Sequence, residues 1–555
     1  MARTARRPAR RPGRARSAGR RGGPRAVHDW GPFRAEERST RPFSPHAPHR
    51  VALAYANTYE VGMSSLGFQR VYELIHGVEG QETGWAAERF FTDGAADAMP
   101  RGVELDTPLN AFPAVLFSVS FEEDYINLLR MLTRAGIPLR RAERDASHPL
   151  VIMGGSCAAI NPLPMAAFVD AFCLGAGENV LPELLPALAD VRPGVDADRA
   201  AALERLASAE GFYVPSRYDP EAADDPLGQG KLRKLELTAE QLRQPGHLPT
   251  SCLITPRTEF TEKFLIEMSR GCPEKCKYCW ATFGMGVFRW HPTDYILDAL
   301  DRARAVTDQV GFVATAVGDH PEIARILQAS HDGGLRAAVS SIRIPAVKPE
   351  TLLPLYASGA RSITLAPETG RDRMRPRMNQ PIPNAMLLEK VRMIFQHGFT
   401  SLKLYFIVGL PDETMDDVQA ILDLAAECRA LGREAAKTTG VMPNVHLGVN
   451  ILIPKPYTAW QRERMDSEAS LKRKMAVLKR GAAQMPNVSL GTMSIRQAVW
   501  QTYITRAGQD AAEVIEQVAN GLPLARALRQ HGDRIRPEVF ETFPRTLRWH
   551  FMRMG

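Results

Sequence analysis

The sequence predicts an α/β protein: a doubly wound, Rossmann-like N-terminal domain, then a partial (β/α)6 barrel, then a helical C-terminal extension. Two observations predict this class. Strand-length apolar runs alternate with helical patterns through residues 46–190, and the same alternation returns six times through residues 263–458. Six units are fewer than the eight that close a barrel, so we expect the second domain to be open.

The first 45 residues are predicted to form a disordered, arginine-rich tail. Residues 1–25 contain ten arginines and no acidic residue, and such a composition cannot form a core. These arginines outweigh the net charge of +8, so the rest of the chain is close to neutral. The tail is either a solvated extension or an arm that binds nucleic acid. The lack of interleaved aromatic residues favours the extension, so we do not expect nucleic-acid binding.

The doubly wound domain is predicted over residues 46–190. Strands are expected at 51–55, 115–119, 150–153 and 168–174, and helices at 66–75 and 128–135. Glycines follow the last two of these strands, at Gly154, Gly155, Gly175 and Gly177. Glycine lets a ligand approach the backbone closely, and the carboxyl ends of parallel strands are where such domains bind ligands.

A connector is predicted over residues 191–262, and it shows no chemistry in the sequence. The barrel follows over residues 263–458. Its six strands are predicted at 264–269, 310–317, 336–344, 362–366, 402–408 and 445–453. Residues 459–555 are predicted to be helical, with helices at 471–483, 495–504 and 511–518.

The first barrel strand leads into a loop with three cysteines, Cys272, Cys276 and Cys279, in the spacing C-x3-C-x2-C. Three thiolates this close can hold three corners of an iron–sulfur cube and leave the fourth iron open. A zinc site or three unrelated cysteines are the alternatives. Zinc usually takes four ligands in paired C-x2-C knuckles, and the sequence has no second knuckle. The other four cysteines are scattered and are interpreted as buried thiols.

The cysteine spacing, together with Tyr278 just before the third cysteine, resembles the radical S-adenosylmethionine (SAM) superfamily. The resemblance implies that the cysteines hold a [4Fe–4S] cluster whose open iron binds SAM. It implies that one electron, from a donor such as flavodoxin or ferredoxin, cleaves SAM to methionine and a 5′-deoxyadenosyl radical. It also implies SAM-binding residues near the strand ends, which are Tyr278, Gly318, Asp319, Ser341, Arg343, Glu368 and Gly409.

The SAM-binding residues at the strand ends are assigned from local motifs and from side-chain chemistry. Gly318 and Asp319 are similar to the family's glycine-rich turn that binds the SAM amino group. Arg343 suits the SAM carboxylate because its planar guanidinium pairs bidentately. In a strand over 336–344, either Ser341 and Arg343 share the inward face or Ser340 lies on it. Glu368 resembles a family residue that contacts SAM. Gly409 lies in a stretch similar to the family motif G-x-I-x-G-x-x-E, which packs near adenine.

The N-terminal domain resembles the cobalamin-binding domain that precedes many radical SAM domains. The motifs that carry this resemblance are Ser118-Val-Ser120, Gly154-Gly155, Asn161-Pro162 and Gly175-Ala-Gly177-Glu178. The resemblance implies that the serines and glycines line the nucleotide tail of cobalamin. The family's D-x-H-x-x-G loop reads Asn57-Thr-Tyr59-Glu-Val-Gly62 here. Either cobalamin binds without a lower ligand from the protein, or the fold remains and the cofactor is gone.

Together these patterns predict a radical SAM enzyme that uses cobalamin, with methyl transfer as one outcome. One alternative is a radical SAM enzyme that has lost cobalamin and modifies RNA or another substrate. Another is an iron–sulfur or RNA-binding regulatory protein without catalysis. The substrate is not specified by the sequence. No apolar run is long enough to cross a bilayer, and no secretory signal is found, so we expect no membrane association and a cytoplasmic location.

Overall fold

The computed structural model describes residues 28–78, 83–221, 232–244, 246–543 and 547–554. Its N-terminal domain is a twisted sheet of strands β1 (His49–Tyr55), β2 (Trp85–Phe90), β3 (Ala114–Ser118), β4 (Leu150–Gly154), β5 (Ala171–Cys173) and β6 (Phe212–Tyr213). The strand order is β2-β1-β3-β4-β5-β6, parallel except for β6. This is a doubly wound order, as predicted, and its topological switch point lies between β1 and β3.

Helices cover both faces of this sheet. They are α1 (Leu66–His76), α2 (Asp124–Arg134), α3 (Gly177–Leu188) and α4 (Asp196–Ser208), with shorter helices at Tyr59–Met63 and Ser156–Ile160. Strand β2 has no counterpart in the sequence prediction. It contains Glu88 and Arg89, which look like surface residues but are buried. Arg89 pairs with Glu37 and Glu104 at 2.7 and 2.6 Å.

The prediction of a disordered tail over residues 1–45 is wrong from residue 28 onwards. A helix spans Gly31–Glu36, and Arg38–Ser39 pairs with Leu253–Ile254 as an antiparallel ribbon. Trp30 is buried and contacts Tyr59. Aromatic side chains therefore fix this segment to the domain. Residues 1–27, which contain the arginine-rich stretch, lie outside the described residues.

The second domain consists of parallel strands in two sheets. They are β7 (Phe264–Glu267), β8 (Gln309–Val313), β9 (Arg336–Val339), β10 (Ser362–Glu368), β11 (Ser401–Val408), β12 (Asn444–Ile451) and β13 (Val488–Thr492). The first three form one sheet and the last four the other. Within the described ranges no pairing joins β7 to β13, so the barrel is open. Strand β13 makes the prediction of six strands too low, because it comes from the segment predicted to be helical.

Helices cover the outside of these sheets. They are α5 (Thr293–Arg304), α6 (Ile323–Asp332), α7 (Pro349–Ala357), α8 (Asn384–Gln396) and α9 (Met415–Thr439). The side chains of β11 alternate accordingly. Leu402, Leu404 and Phe406 are fully buried in the core, whereas Lys403 and Tyr405 are exposed. None of the helices in the described part of the chain combines the length and apolar character needed to span a bilayer.

The C-terminal segment packs against both domains. Its helices are α10 (Glu468–Ala483), α11 (Ile495–Arg506), α12 (Ala512–Ala519), α13 (Leu524–Gln530) and α14 (Gly532–Phe540). Arg140 of the N-terminal domain pairs with Glu516 at 2.6 Å. The Asn161 amide donates to the carbonyl of Ala507 at 2.9 Å. The motif Asn161-Pro162 thus holds the C-terminal segment in this structure.

Candidate functional site

The cysteine loop follows β7 and the short strand Ser269–Arg270, and close backbone packing fixes its start. Gly271 has φ of +73°, and a Cβ there would lie 2.6 Å from the carbonyl oxygen of Gly286. Cys276 is buried, while Cys272 and Cys279 are half-buried. Only glycine fits this turn, so the first cysteine starts from a well-defined position at the carboxyl end of the sheet.

The three cysteines are unpaired thiols. Among the described residues, no three His, Cys, Asp or Glu side chains converge as ligands of a single metal ion. A cubane cluster does not need ligands that converge on one metal ion, because each thiolate binds its own iron at a separate corner. The donor set of three nearby thiols on one loop fits such a cluster.

Asp319 and Arg343, both predicted to bind SAM, pair with each other. Arg343 also pairs with Glu274, which lies between the first two cysteines. The prediction that Ser341 and Arg343 share a strand face is wrong, because β9 ends at Val339 and both residues follow it in a loop. Gly318 and Asp319 form a short 3-10 turn after β8. The arginine therefore joins the cysteine loop to the ends of two barrel strands.

Glu368 ends β10 in a strained conformation beside the cysteine loop. Its φ is +63°, a region that non-glycine residues rarely adopt outside functional or strained sites. The Tyr278 hydroxyl donates to Glu368 Oε1 at 2.7 Å. Burial raises the pKa of Glu368 to about 7. Two of the predicted SAM-binding residues are thus brought together at this point.

Gly409 follows β11 and has φ of +82°. Its N–H donates to Glu413 Oε2 at 2.7 Å. The same carboxylate accepts from Lys474 of α10 at 2.6 Å. The C-terminal segment therefore stabilises the turn at Gly409, which the family resemblance predicts to lie near adenine.

A cavity of about 770 Å³ lies between the two domains. One wall is the carboxyl edge of the doubly wound sheet, including Ser120, Gly155, Gly175 and Gly177 among the predicted residues. The other wall comes from β7, β8 and β9 and from the segment around the cysteine loop, including Trp280. Its volume is within the range of small-molecule and cofactor pockets. Asn57, Ser118 and Gly154 are not part of its wall.

Charged side chains form a network along one wall of this cavity. Glu178 accepts from Arg270 at 3.0 Å and from Arg70 at 3.2 Å. Arg270 also pairs with Glu267 at 3.0 Å. Burial raises the pKa of Glu178, but the two guanidinium groups outweigh it and lower this pKa to about 2. Sequence reasoning missed this network because its members are up to 200 positions apart.

The connector also contributes to the cavity, contrary to the expectation that it carries no chemistry. Lys234 and Glu236 line the wall and pair with each other. The Lys234 ammonium donates to the carbonyl of Gly284 at 2.8 Å, just after the cysteine loop. The local pattern of residues 232–236 gives no sign of this contact, because Gly284 is about 50 positions away in the sequence.

Two of the predicted glycines are required by the fold itself. A Cβ at Gly155 would lie 2.5 Å from the carbonyl oxygen of Val119, and one at Gly175 would lie 2.2 Å from that of Leu235. Both have positive φ. Close approach of protein backbone therefore accounts for these glycines without a ligand.

The loop that departs from D-x-H-x-x-G is filled by protein side chains. Tyr59 is fully buried, and its hydroxyl donates to Glu37 at 2.5 Å. Asn57 donates to Asp124 Oδ1 at 2.8 Å. Neither side chain faces the cavity, so Tyr59 does not take the role of a metal-ligating histidine in this arrangement.

Asp124 makes folding stability depend on pH. Burial raises its pKa to about 6, although Asn57 and Asn127 donate to it. An acid whose pKa is higher in the folded state loses stability as pH rises from about 4 to about 6, here about 3 kcal/mol. We expect Asp124→Asn to raise the thermal midpoint relative to wild type at pH 7.5, and by less at pH 5.

Thermal unfolding at both pH values, monitored by circular dichroism, checks this expectation. Asp190→Asn, at an exposed position of the same domain, is the control. An equal effect of Asp124→Asn at both pH values would contradict the argument.

Comparison with known proteins agrees with this arrangement. The family model described as "Radical SAM proteins, N-terminal" matches residues 67–215, and the model for the "Radical SAM superfamily" matches residues 266–425. Together these ranges cover more than half of the chain. The fold and the cysteine loop define a radical SAM protein with a doubly wound N-terminal domain. The chain belongs to the radical SAM superfamily of enzymes.

Individual relatives are distant. An uncharacterized protein of Methanocaldococcus jannaschii, MJ0966, is 24% identical over 424 residues, which are 76% of this chain and 83% of that protein. The radical SAM methyltransferase TsrM from Kitasatospora setae, solved with tryptophan and aza-SAM, has a TM-score of 0.48 at 14% identity and covers 75% of each chain. The cobalamin-dependent enzyme OxsB has a TM-score of 0.43 at 12% identity over 68% of this chain and 51% of its own. Similarity at this level carries no argument about ligands.

Proposed function

We propose that this protein cleaves SAM reductively at a [4Fe–4S] cluster bound by Cys272, Cys276 and Cys279, and that cobalamin binds in the interdomain cavity. The observation that supports this most is the position of the cysteine loop. It stands at the carboxyl end of the first barrel strand, beside a cavity whose other wall is the ligand-binding edge of a doubly wound domain. Methyl transfer to a carbon of the substrate is the reaction that these two cofactors together favour.

When bound, the cluster and SAM supply a 5′-deoxyadenosyl radical, and cobalamin supplies a methyl group. The protein's role is to bind and orient these groups and to exclude water. Arg343 and Asp319 offer opposite charges for the carboxylate and amino group of SAM once they separate from each other. Glu368, held by Tyr278, and the turn at Gly409 are proposed to border the rest of SAM.

The cavity suits a cofactor that is bound without a lower ligand from the protein. Tyr59 is turned away and hydrogen-bonded elsewhere. Two polar atoms of cavity-lining residues, Ser269 Oγ and Trp280 Nε1, are buried without partners. Buried polar groups normally have hydrogen-bond partners. A ligand in the cavity would supply partners for these two atoms.

A second candidate is a radical SAM enzyme that has lost cobalamin. The packing at Gly155 and Gly175 favours it, because the fold alone explains both glycines. On this alternative the cavity receives the substrate, and Cys272, Cys276 and Cys279 keep the same role.

Anaerobic reconstitution with iron and sulfide, followed by reduction, tests the proposal. We expect 5′-deoxyadenosine and methionine to form from SAM with dithionite, and also with reduced flavodoxin or ferredoxin as a proposed physiological donor. Protein purified from cells supplied with cobalamin is expected to show a corrinoid absorption band. A cluster without SAM cleavage would refute the enzyme proposal, and SAM cleavage without bound corrinoid would favour the second candidate.

A further inference from the structure

A buried carboxylate of the N-terminal domain contacts the short strand Ser269–Arg270, which follows β7 and leads into the cysteine loop. Glu178 lies in the first turn of α3. Its side chain is only 4% exposed, and it accepts from Arg270 through both oxygens at 3.0 and 3.4 Å. This is a bidentate pair, the arrangement that best fixes a guanidinium in place.

Arg270 is two residues before Cys272, and the residue between them is the tightly packed Gly271. Its Nε donates to Glu267, which precedes it by three residues. The guanidinium is therefore held by one carboxylate from the end of β7 and by one from the other domain. A change at Glu178 is transmitted to the start of the cysteine loop through a single side chain.

The network brings opposite charges together around two arginines. Arg70 and Arg270 pair with the carboxylates of Glu178, Glu267 and Glu73. Interactions between such charges are weakly screened in a buried site. The reduction potential of an iron–sulfur cluster depends on nearby net charge and on hydrogen bonds to its sulfurs. Removing one negative charge next to Arg270 should therefore make reduction easier.

We propose that Glu178 is a positioning residue for the cysteine loop, acting through Arg270, and that it keeps the reduction potential of the cluster low. This inference rests on the proposed cluster at Cys272, Cys276 and Cys279. It assigns to the N-terminal domain a role in the electron-transfer step, in addition to ligand binding.

Glu178→Gln tests the proposal, because it keeps the shape of the side chain and removes its charge. Asp170→Asn is the matched control. Asp170 is also buried and accepts from two arginines, Arg144 at 3.0 Å and Arg199 at 2.9 Å, within the N-terminal domain. Both variants lose one charge from a buried pair. Electron paramagnetic resonance and redox titration of the reconstituted full chain are the measurements.

We expect Glu178→Gln to shift the midpoint potential to a more positive value and to change the resonance of the reduced cluster, with Asp170→Asn like wild type in both. Equal spectra and potentials for the two variants would overturn the inference while the cluster remains. A wild-type protein without a cluster would instead refute the proposed function. If Glu178→Gln does not fold, Arg70→Gln replaces it and is expected to shift the potential to a more negative value. An unchanged potential in that variant would overturn the inference.

Discussion

Replacing Cys276 with serine is expected to reduce formation of 5′-deoxyadenosine from SAM to background. Cys276 is the buried member of the three loop cysteines. A thiolate binds iron, whereas a serine hydroxyl stays protonated near neutral pH and is a poor replacement. We therefore expect the iron content after reconstitution to fall well below about four per chain. Iron and sulfide analysis, with chromatography of the SAM products, measures both effects.

Cys428→Ser is the matched control for this experiment. Cys428 is a fully buried thiol in α9, so its replacement tests the general effect of removing a buried sulfur. It should retain iron and activity. Full iron content together with SAM cleavage in the Cys276 variant would show that this residue is not a ligand.

The regular elements of this fold were predictable because their burial follows simple periods. Strand β11, expected at 402–408, spans Ser401–Val408, and its buried and exposed residues alternate as a one-sided strand requires. Helix α10, expected at 471–483, spans Glu468–Ala483. The cysteine loop was also visible, because its chemistry depends on residues close in sequence.

Features that depend on distant partners were not predictable. Strand β2 carries Glu88 and Arg89, whose burial is compensated by ion pairs with residues from other segments. The predicted third barrel strand was too long, because Ser341 and Arg343 lie in a loop after β9. Arg343 fixes this loop by pairing with Asp319 and Glu274. Contacts of this kind leave no periodic signal in the sequence.

The second large effect concerns Glu122, which holds the N-terminal domain, the barrel and the C-terminal segment together. Its carboxylate is 2% exposed and pairs with Lys455, which follows β12. It also accepts from Gln501 at 3.0 Å and from Thr505 at 2.9 Å, both in α11. Burial raises the pKa of Glu122, but Lys455 and the hydrogen bonds lower it below its ordinary value.

Glu122→Ala is expected to destabilise the protein by about 3–5 kcal/mol, because it leaves the partly buried Lys455 ammonium and the donors Gln501 and Thr505 without their acceptor. The thermal midpoint should fall, and limited proteolysis should cut between the C-terminal segment and the rest of the chain sooner. Glu183→Ala is the control. Glu183 belongs to the same domain but is 54% exposed and pairs loosely with Arg205 at 3.8 Å, so its loss should change stability by less than about 1 kcal/mol.

A double variant separates the net contribution of this ion pair to stability from the penalty of leaving one charge unpaired. Glu122→Leu with Lys455→Met replaces both charges by apolar side chains of similar size, which often restores stability that a single replacement loses. Gln501 and Thr505 still lose an acceptor, so we expect recovery of more than half of the lost thermal midpoint. A double variant no more stable than Glu122→Ala would show that the hydrogen bonds from α11, rather than the ion pair with Lys455, stabilise the contact between the domains and the C-terminal segment. In that case the C-terminal segment is held to the N-terminal domain mainly by neutral donors around a single buried carboxylate.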